Sequence, residues 1–229
     1  MDGHANKTTM DRSAGGLEYL IDEPEGGAVG APLLICLHGR GSTPEKIQPW
    51  SAAIAHNWVR VLPVGPLASE AGRAWYLKGP DRAEQLACSR QALVRLVAEL
   101  RARLGVGPER TAVWGFSQGG TLSLELGLAL DAPLAATVCV AGILDPATAQ
   151  DPARIGRARG REFFLVHGVN DEVVPFQSAR DAYRALSSDG GRVELAELVM
   201  GHEVSPVALG AVRGFLASAV GAGVGPAKA

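Results

Sequence analysis

The sequence predicts an α/β fold: a mostly parallel central sheet with helices on both faces. Two observations carry that prediction. Short apolar, β-rich runs alternate with longer amphipathic stretches, and several runs end in reactive residues, as in "LHGRG", "WGFSQGG" and "FLVHGVND". Strands buried on both faces need crossover helices, and ligands of open parallel sheets bind beyond the strands' carboxyl ends.

The strand candidates are, in order, residues 17–21, 33–39, 59–65, 111–115, 134–142, 162–168 and 193–199. Helices are expected between most of them. The clearest spans 82–103, where Leu86, Leu93, Val94, Val97, Leu100 and Leu104 recur at three- and four-residue steps opposite Arg90, Arg95, Glu99 and Arg103. Others are placed at 44–55, 118–130, 175–188 and 205–219, the last opening at a Ser-Pro pair suited to a helix start. Residues 1–16 are polar and are read as a disordered N-terminal tail, 17–220 as a single domain, and 221–229 as a flexible C-terminal tail.

Composition narrows the class of function. The chain has 229 residues, 47% of them apolar, enough for the core of one domain. Net charge is −2 and the charges are interspersed, so no nucleic-acid partner is expected. No apolar run approaches the roughly 18 residues of a membrane span, and the first 16 residues lack the apolar stretch of a signal peptide. Cys36, Cys88 and Cys139 have no metal-ligand spacing and read as buried small hydrophobes in a reducing compartment, so a cytoplasmic location is expected. No metal or organic cofactor is expected either, since no histidine-carboxylate cluster has ligand spacing.

Gly115-Phe116-Ser117-Gln118-Gly119 fits G-x-S-x-G, with an apolar strand before it and a helix after it. In that context the serine sits on a strained turn with its hydroxyl clear of the sheet. A serine hydroxyl needs an imidazole to take its proton and a carboxylate to orient that imidazole. Chain order then selects Asp171, after the penultimate strand, and His202, after the last one. Taken singly, Asp171 would pass for a turn residue and His202 for a surface histidine; together they complete a triad with Ser117. His167 and His38 are expected to fix their loops by hydrogen bonds. The oxyanion needs two donors: the N–H of Gln118, after the nucleophile, and the N–H of Arg40, in the open loop "LHGRGST".

Taken together, "LHGRGS", "GFSQGG", "HGVNDEVVP" and "GHEVSP" resemble the phospholipase/carboxylesterase family of α/β-hydrolases, which includes acyl-protein thioesterase-like enzymes. The likeness runs from about residue 31 to 217. It implies an α/β-hydrolase fold without a separate cap domain, a Ser117-Asp171-His202 triad, oxyanion donors at Arg40 and Gln118, and esters of small to medium acyl chains as substrates. Thioesters or lysophospholipids are the alternative substrates, and a ligand-binding protein on a hydrolase fold is the non-enzymatic reading. Trp75 and Tyr76, in "RAWYLKGPD", and Val174, beside the acid, are the expected pocket residues, although the aromatic-aspartate ending of many members is absent. Arg40 replaces the usual apolar residue; its guanidinium is expected in solvent, with recognition of an anionic substrate as the alternative. The expected partner is a small-molecule ester, and a homodimer is left open.

Overall fold

The structure, a computed structural model, describes residues 7–222. The strands are β1 (Lys7–Arg12), β2 (Glu18–Glu23), β3 (Leu33–Leu37), β4 (Val59–Pro63), β5 (Leu67–Ser69), β6 (Gly72–Ala74), β7 (Thr111–Phe116), β8 (Ala136–Val140), β9 (Glu162–Gly168) and β10 (Arg192–Leu198). The helices are α1 (Pro44–Ala55), α2 (Arg82–Leu104), α3 (Gln118–Ala129), α4 (Pro146–Ala149), α5 (Pro152–Ile155), α6 (Gln177–Ser188) and α7 (Pro206–Ala222). Among the described residues, eight strands form one sheet in the order β1-β2-β4-β3-β7-β8-β9-β10, and β5 pairs with β6 in a separate hairpin. From β4 to β10 every pairing is parallel; β1 and β2 join antiparallel. This is the predicted mostly parallel sheet of an α/β-hydrolase.

Alternation within the strands divides the core. In β3, Leu34 and Cys36 pack with Ile47 and Ile54 of α1 and with Val212 and Leu216 of α7. Leu33, Ile35 and Leu37 face the other way, against Leu93, Val97 and Leu100 of α2 and Leu122 and Leu126 of α3. Further along that second face, Leu124 and Leu128 of α3 meet Phe163, Leu165 and Leu186. Helix α3 is buried on all sides from Gln118 to Leu128, which explains why "TLSLELGLAL" has almost no polar face.

The N-terminal expectation is corrected. Residues 7–12, assigned to a disordered tail, form β1 and pair with β2 from Lys7↔Glu23 to Arg12↔Glu18. An edge strand exposed on both faces carries no hydrophobic alternation, so the usual strand signal is missing. Polar contacts hold it instead: Thr8 donates to Asp22 at 2.5 Å, and Asp11 accepts from Tyr19 at 2.9 Å and Arg103 at 2.7 Å. At the other end, α7 includes residues 221 and 222, which the sequence assigns to the C-terminal tail; the tails expected at residues 1–6 and 223–229 lie outside the described residues. Cys36 and Cys139 are buried as expected, but Cys88 is exposed, because it points away from the sheet-facing side of α2 that carries Leu86 and Ser89. No helix of the described residues is long and apolar enough to cross a membrane.

The antiparallel margin is tied to the parallel core by one buried ion pair. Asp22 of β2 meets the Arg60 guanidinium of β4 at 3.1 Å, with side chains only 1% and 2% exposed. Arg60 also donates to the carbonyls of Ala55 and His56 at the end of α1, and Gln48 of α1 donates to Asp22. Removing one partner of such a pair strands the other charge in the interior. Asp22→Ala is therefore expected to lower unfolding stability by about 3–5 kcal/mol, read as an earlier urea midpoint at constant slope. A loss below about 1 kcal/mol would show that the pair does not hold the margin in place.

Candidate active site

The turn between β7 and α3 is built by close approach. Ser117 adopts φ 56°, ψ −117°, a left-handed conformation that side chains avoid. It is held at both ends: its N–H donates to Val140 O at 2.8 Å, and its carbonyl accepts from Thr121 N at 3.0 Å. A Cβ on Gly115 would stand 2.1 Å from Gly119 O, and one on Gly119 would stand 2.1 Å from Leu37 O. These two glycines are required by contact, because they let the start of α3 lie against the end of β3.

That contact brings the next loop to Ser117. Gly39 lies where a Cβ would be 3.4 Å from Ser117 Cβ, and Arg40 follows it. Among the described residues the N–H groups of Arg40 and Gln118 have no hydrogen-bond partner. The loop's shape is fixed from behind by His38, which is fully buried. Gly65 N–H donates to His38 Nε2 at 2.9 Å, so that nitrogen is unprotonated, and Nδ1–H donates to Gly39 O at 2.8 Å. Burial keeps the imidazole neutral and its pKa below the ordinary value.

Asp171 and His202 follow neighbouring parallel strands. β9 and β10 pair as far as Gly168↔Leu198; beyond that point Val169 N–H donates to Leu198 O and Asn170 N–H to Met200 O. Gly168 has no room for a side chain, since a Cβ would be 2.2 Å from Met200 O. The two loops therefore leave the sheet side by side. His202 Nδ1 is 2.8 Å from Asp171 Oδ2, and His202 Nε2 is 2.9 Å from Ser117 Oγ. With the carboxylate as acceptor, Nδ1 carries the proton and Nε2 is left to accept from the serine. Burial alone would raise the Asp171 carboxyl, but the N–H of Val174, the imidazole of His202 and the N–H of Val173 outweigh it and hold the group below the usual carboxylate range.

The expected pocket residues fall in three different places. Trp75 is fully buried; its indole N–H donates to His38 O, and its backbone N–H donates to Gln118 Oε1. It also lines a cavity of about 530 Å³ on the α2 side, with Leu67, Cys88 and Ala92. Tyr76 is half-buried beneath the Arg82 guanidinium at 4.9 Å, and its carbonyl accepts from Gln118 Nε2. Val174 is half-buried beside Asp171, to which its N–H donates. Arg40 is exposed and lines a cleft of about 550 Å³ with Ser69, Glu70, Ala71 and Leu77. Two supporting roles were not foreseen: the Gln118 side chain clamps residues 75 and 76, and the Phe116 ring backs His202 at 5.0 Å. Both residues occupy the unspecified positions of G-x-S-x-G. Among the described residues no group of three or more His, Cys, Asp or Glu could hold a metal ion.

Comparison with known proteins identifies the family. The sequence profile of the Phospholipase/Carboxylesterase family matches residues 26–220. Esterase YpfH of Escherichia coli (strain K12) is 29% identical over 187 residues, 77% of each chain. Among solved structures, a carboxylesterase from Mesorhizobium loti superposes with a TM-score of 0.77 at 20% identity, over 92% of this chain and 98% of that one. Esterase PE8 superposes with a TM-score of 0.73 at 24% identity, over 93% and 99%. The two structural likenesses concern the fold.

The buried neutral His38 makes stability depend on pH. Its folded pKa lies below its unfolded one, so its contribution is complete above about pH 6.5 and is lost as pH falls toward the folded value. Urea unfolding at about pH 7.5 and about pH 5.5 should show lower stability at the acid value, and the difference should shrink in His38→Gln. An unchanged difference would mean that other groups carry it.

Proposed function

We propose that this chain, which belongs to the phospholipase/carboxylesterase family and is a hydrolase acting on esters, is a serine carboxylesterase working through Ser117, His202 and Asp171. The observation that carries the reading is the unbroken chain Asp171 Oδ2, His202 Nδ1, His202 Nε2 and Ser117 Oγ, with contacts of 2.8 and 2.9 Å. It ends on a strained serine that precedes Gln118 and adjoins the loop of Gly39 and Arg40.

Ser117 Oγ attacks the ester carbonyl carbon while His202 Nε2 takes the hydroxyl proton. The oxygen that becomes negative is met by the N–H groups of Arg40 and Gln118, aided by the positive N-terminal end of α3. Asp171 stabilises the imidazolium. Collapse releases the alcohol, which receives that proton and leaves an acyl-Ser117 ester. His202 then takes a proton from water, the hydroxide attacks the acyl carbon, and Ser117 is restored with release of the acid. Esters of small to medium acyl chains are the proposed substrates, in keeping with membership of the family.

Ser117→Ala is expected to lower turnover of p-nitrophenyl acetate or butyrate by roughly five to six orders of magnitude. Unchanged hydrolysis would end the proposal. Because the oxyanion role of Arg40 uses only its backbone, Arg40→Ala should keep kcat on neutral esters within about threefold. A larger loss on neutral esters would contradict a backbone-only role, and a loss confined to anionic esters would place the guanidinium on the substrate.

A further inference from the structure

His167 ends β9, four residues before Asp171, and has no part in the reaction as written above. Its side chain is 1% exposed and that of Asp171 is 0% exposed. His167 Nε2 lies 2.9 Å from Val174 O and 3.3 Å from Asp171 Oδ2, the same oxygen that meets His202. Both neighbours of that nitrogen are acceptors, so Nε2 carries the proton and donates it to the Val174 carbonyl. The N–H groups of Val174 and Val173 in turn donate to Asp171 Oδ1 at 2.8 and 2.9 Å. One imidazole N–H thus holds the peptide that orients the carboxylate, and its positive end also faces the oxygen that binds the base. Phe176 closes the far side of the ring, with centroids 6.0 Å apart.

We infer that His167 is a positioning residue for the triad: through Val174 it turns Asp171 so that Oδ2 faces His202, and its N–H offsets part of the carboxylate charge there. The inference rests on Ser117, His202 and Asp171 acting as proposed. The titratable groups facing Asp171 are His167 from β9 and His202 from the loop after β10. His202 faces Asp171 on one side, and Ser117 and the Phe116 ring on the other; Glu172 and Glu203 are exposed chain neighbours.

Two amide replacements separate positioning from space-filling. Asparagine places an N–H near the position of Nδ1 and falls short of Val174, whereas glutamine reaches the position of Nε2. His167→Asn should lower kcat by about 10- to 100-fold with KM within about twofold. It should also move the acid limb of the kcat/KM profile to higher pH, because a less neutralised Asp171 holds the protonated base more tightly. His167→Gln should restore kcat to within about threefold of the original and return the limb. Wild-type kcat in the asparagine variant, or equal losses in both variants with an unmoved limb, would overturn the inference. Ser117→Ala is assayed alongside. If it keeps its turnover, the Ser117 mechanism fails and this inference with it; if it is inactive while both His167 variants behave as wild type, the inference alone fails.

Discussion

The contact between the start of α3 and the end of β3 is the constraint on which the site depends. Leu37 O occupies the space that a side chain on Gly119 would need, and Gly119 O occupies the space of one on Gly115. Only a turn stripped of side chains can pass there, and the chain passes with Ser117 at φ 56°. A backbone of that kind costs on the order of 1–3 kcal/mol. It persists because Val140 and Thr121 bond to the serine's own peptide groups and α3 is buried along its length. The closeness also brings the loop of Gly39 and Arg40 up to the turn, since a Cβ on Gly39 would stand 3.4 Å from Ser117 Cβ.

A second close approach supplies the other half of the relay. Gly168 meets Met200 O, and the β9 and β10 pairing continues into the loops through Val169 and Asn170. Asp171 and His202, 31 residues apart in the chain, are therefore neighbours at one edge of the sheet. The two approaches meet at His202, whose ring spans the acid and the serine with Phe116 behind it. Around this line the buried polar groups work in pairs: His38 fixes the loop of Gly39 and Arg40 to Gly65, and Gln118 fixes residues 75 and 76 to the head of α3.

Most of this frame is legible in the sequence, because strands buried on both faces and a turn that excludes side chains leave strong marks. The helix expected at 44–55 coincides with α1, and Ser117 and Asp171, chosen with His202 by chain order, each lie within hydrogen-bond reach of His202. What escaped has physical reasons. β1 is an edge strand with no buried face, held by polar contacts to residues as distant as Arg103, so periodicity is silent there. The β5–β6 hairpin is too short to show a pattern. Trp75, read as a pocket wall in a loop, lines the cavity beside α2, and its indole N–H also finds His38 O while its ring enters the core. Aromatic residues in loops carry the same letter whether they face a ligand or a backbone carbonyl.

The proposed role of Ser117 as the activated nucleophile of an esterase is tested most directly by treating the native enzyme with a fluorophosphonate and locating the adduct by peptide mass spectrometry. A single adduct on Ser117 is expected, formed at a rate that collapses when His202 is replaced by alanine. An adduct on another residue, or labelling of Ser117 at an unchanged rate without His202, would contradict it.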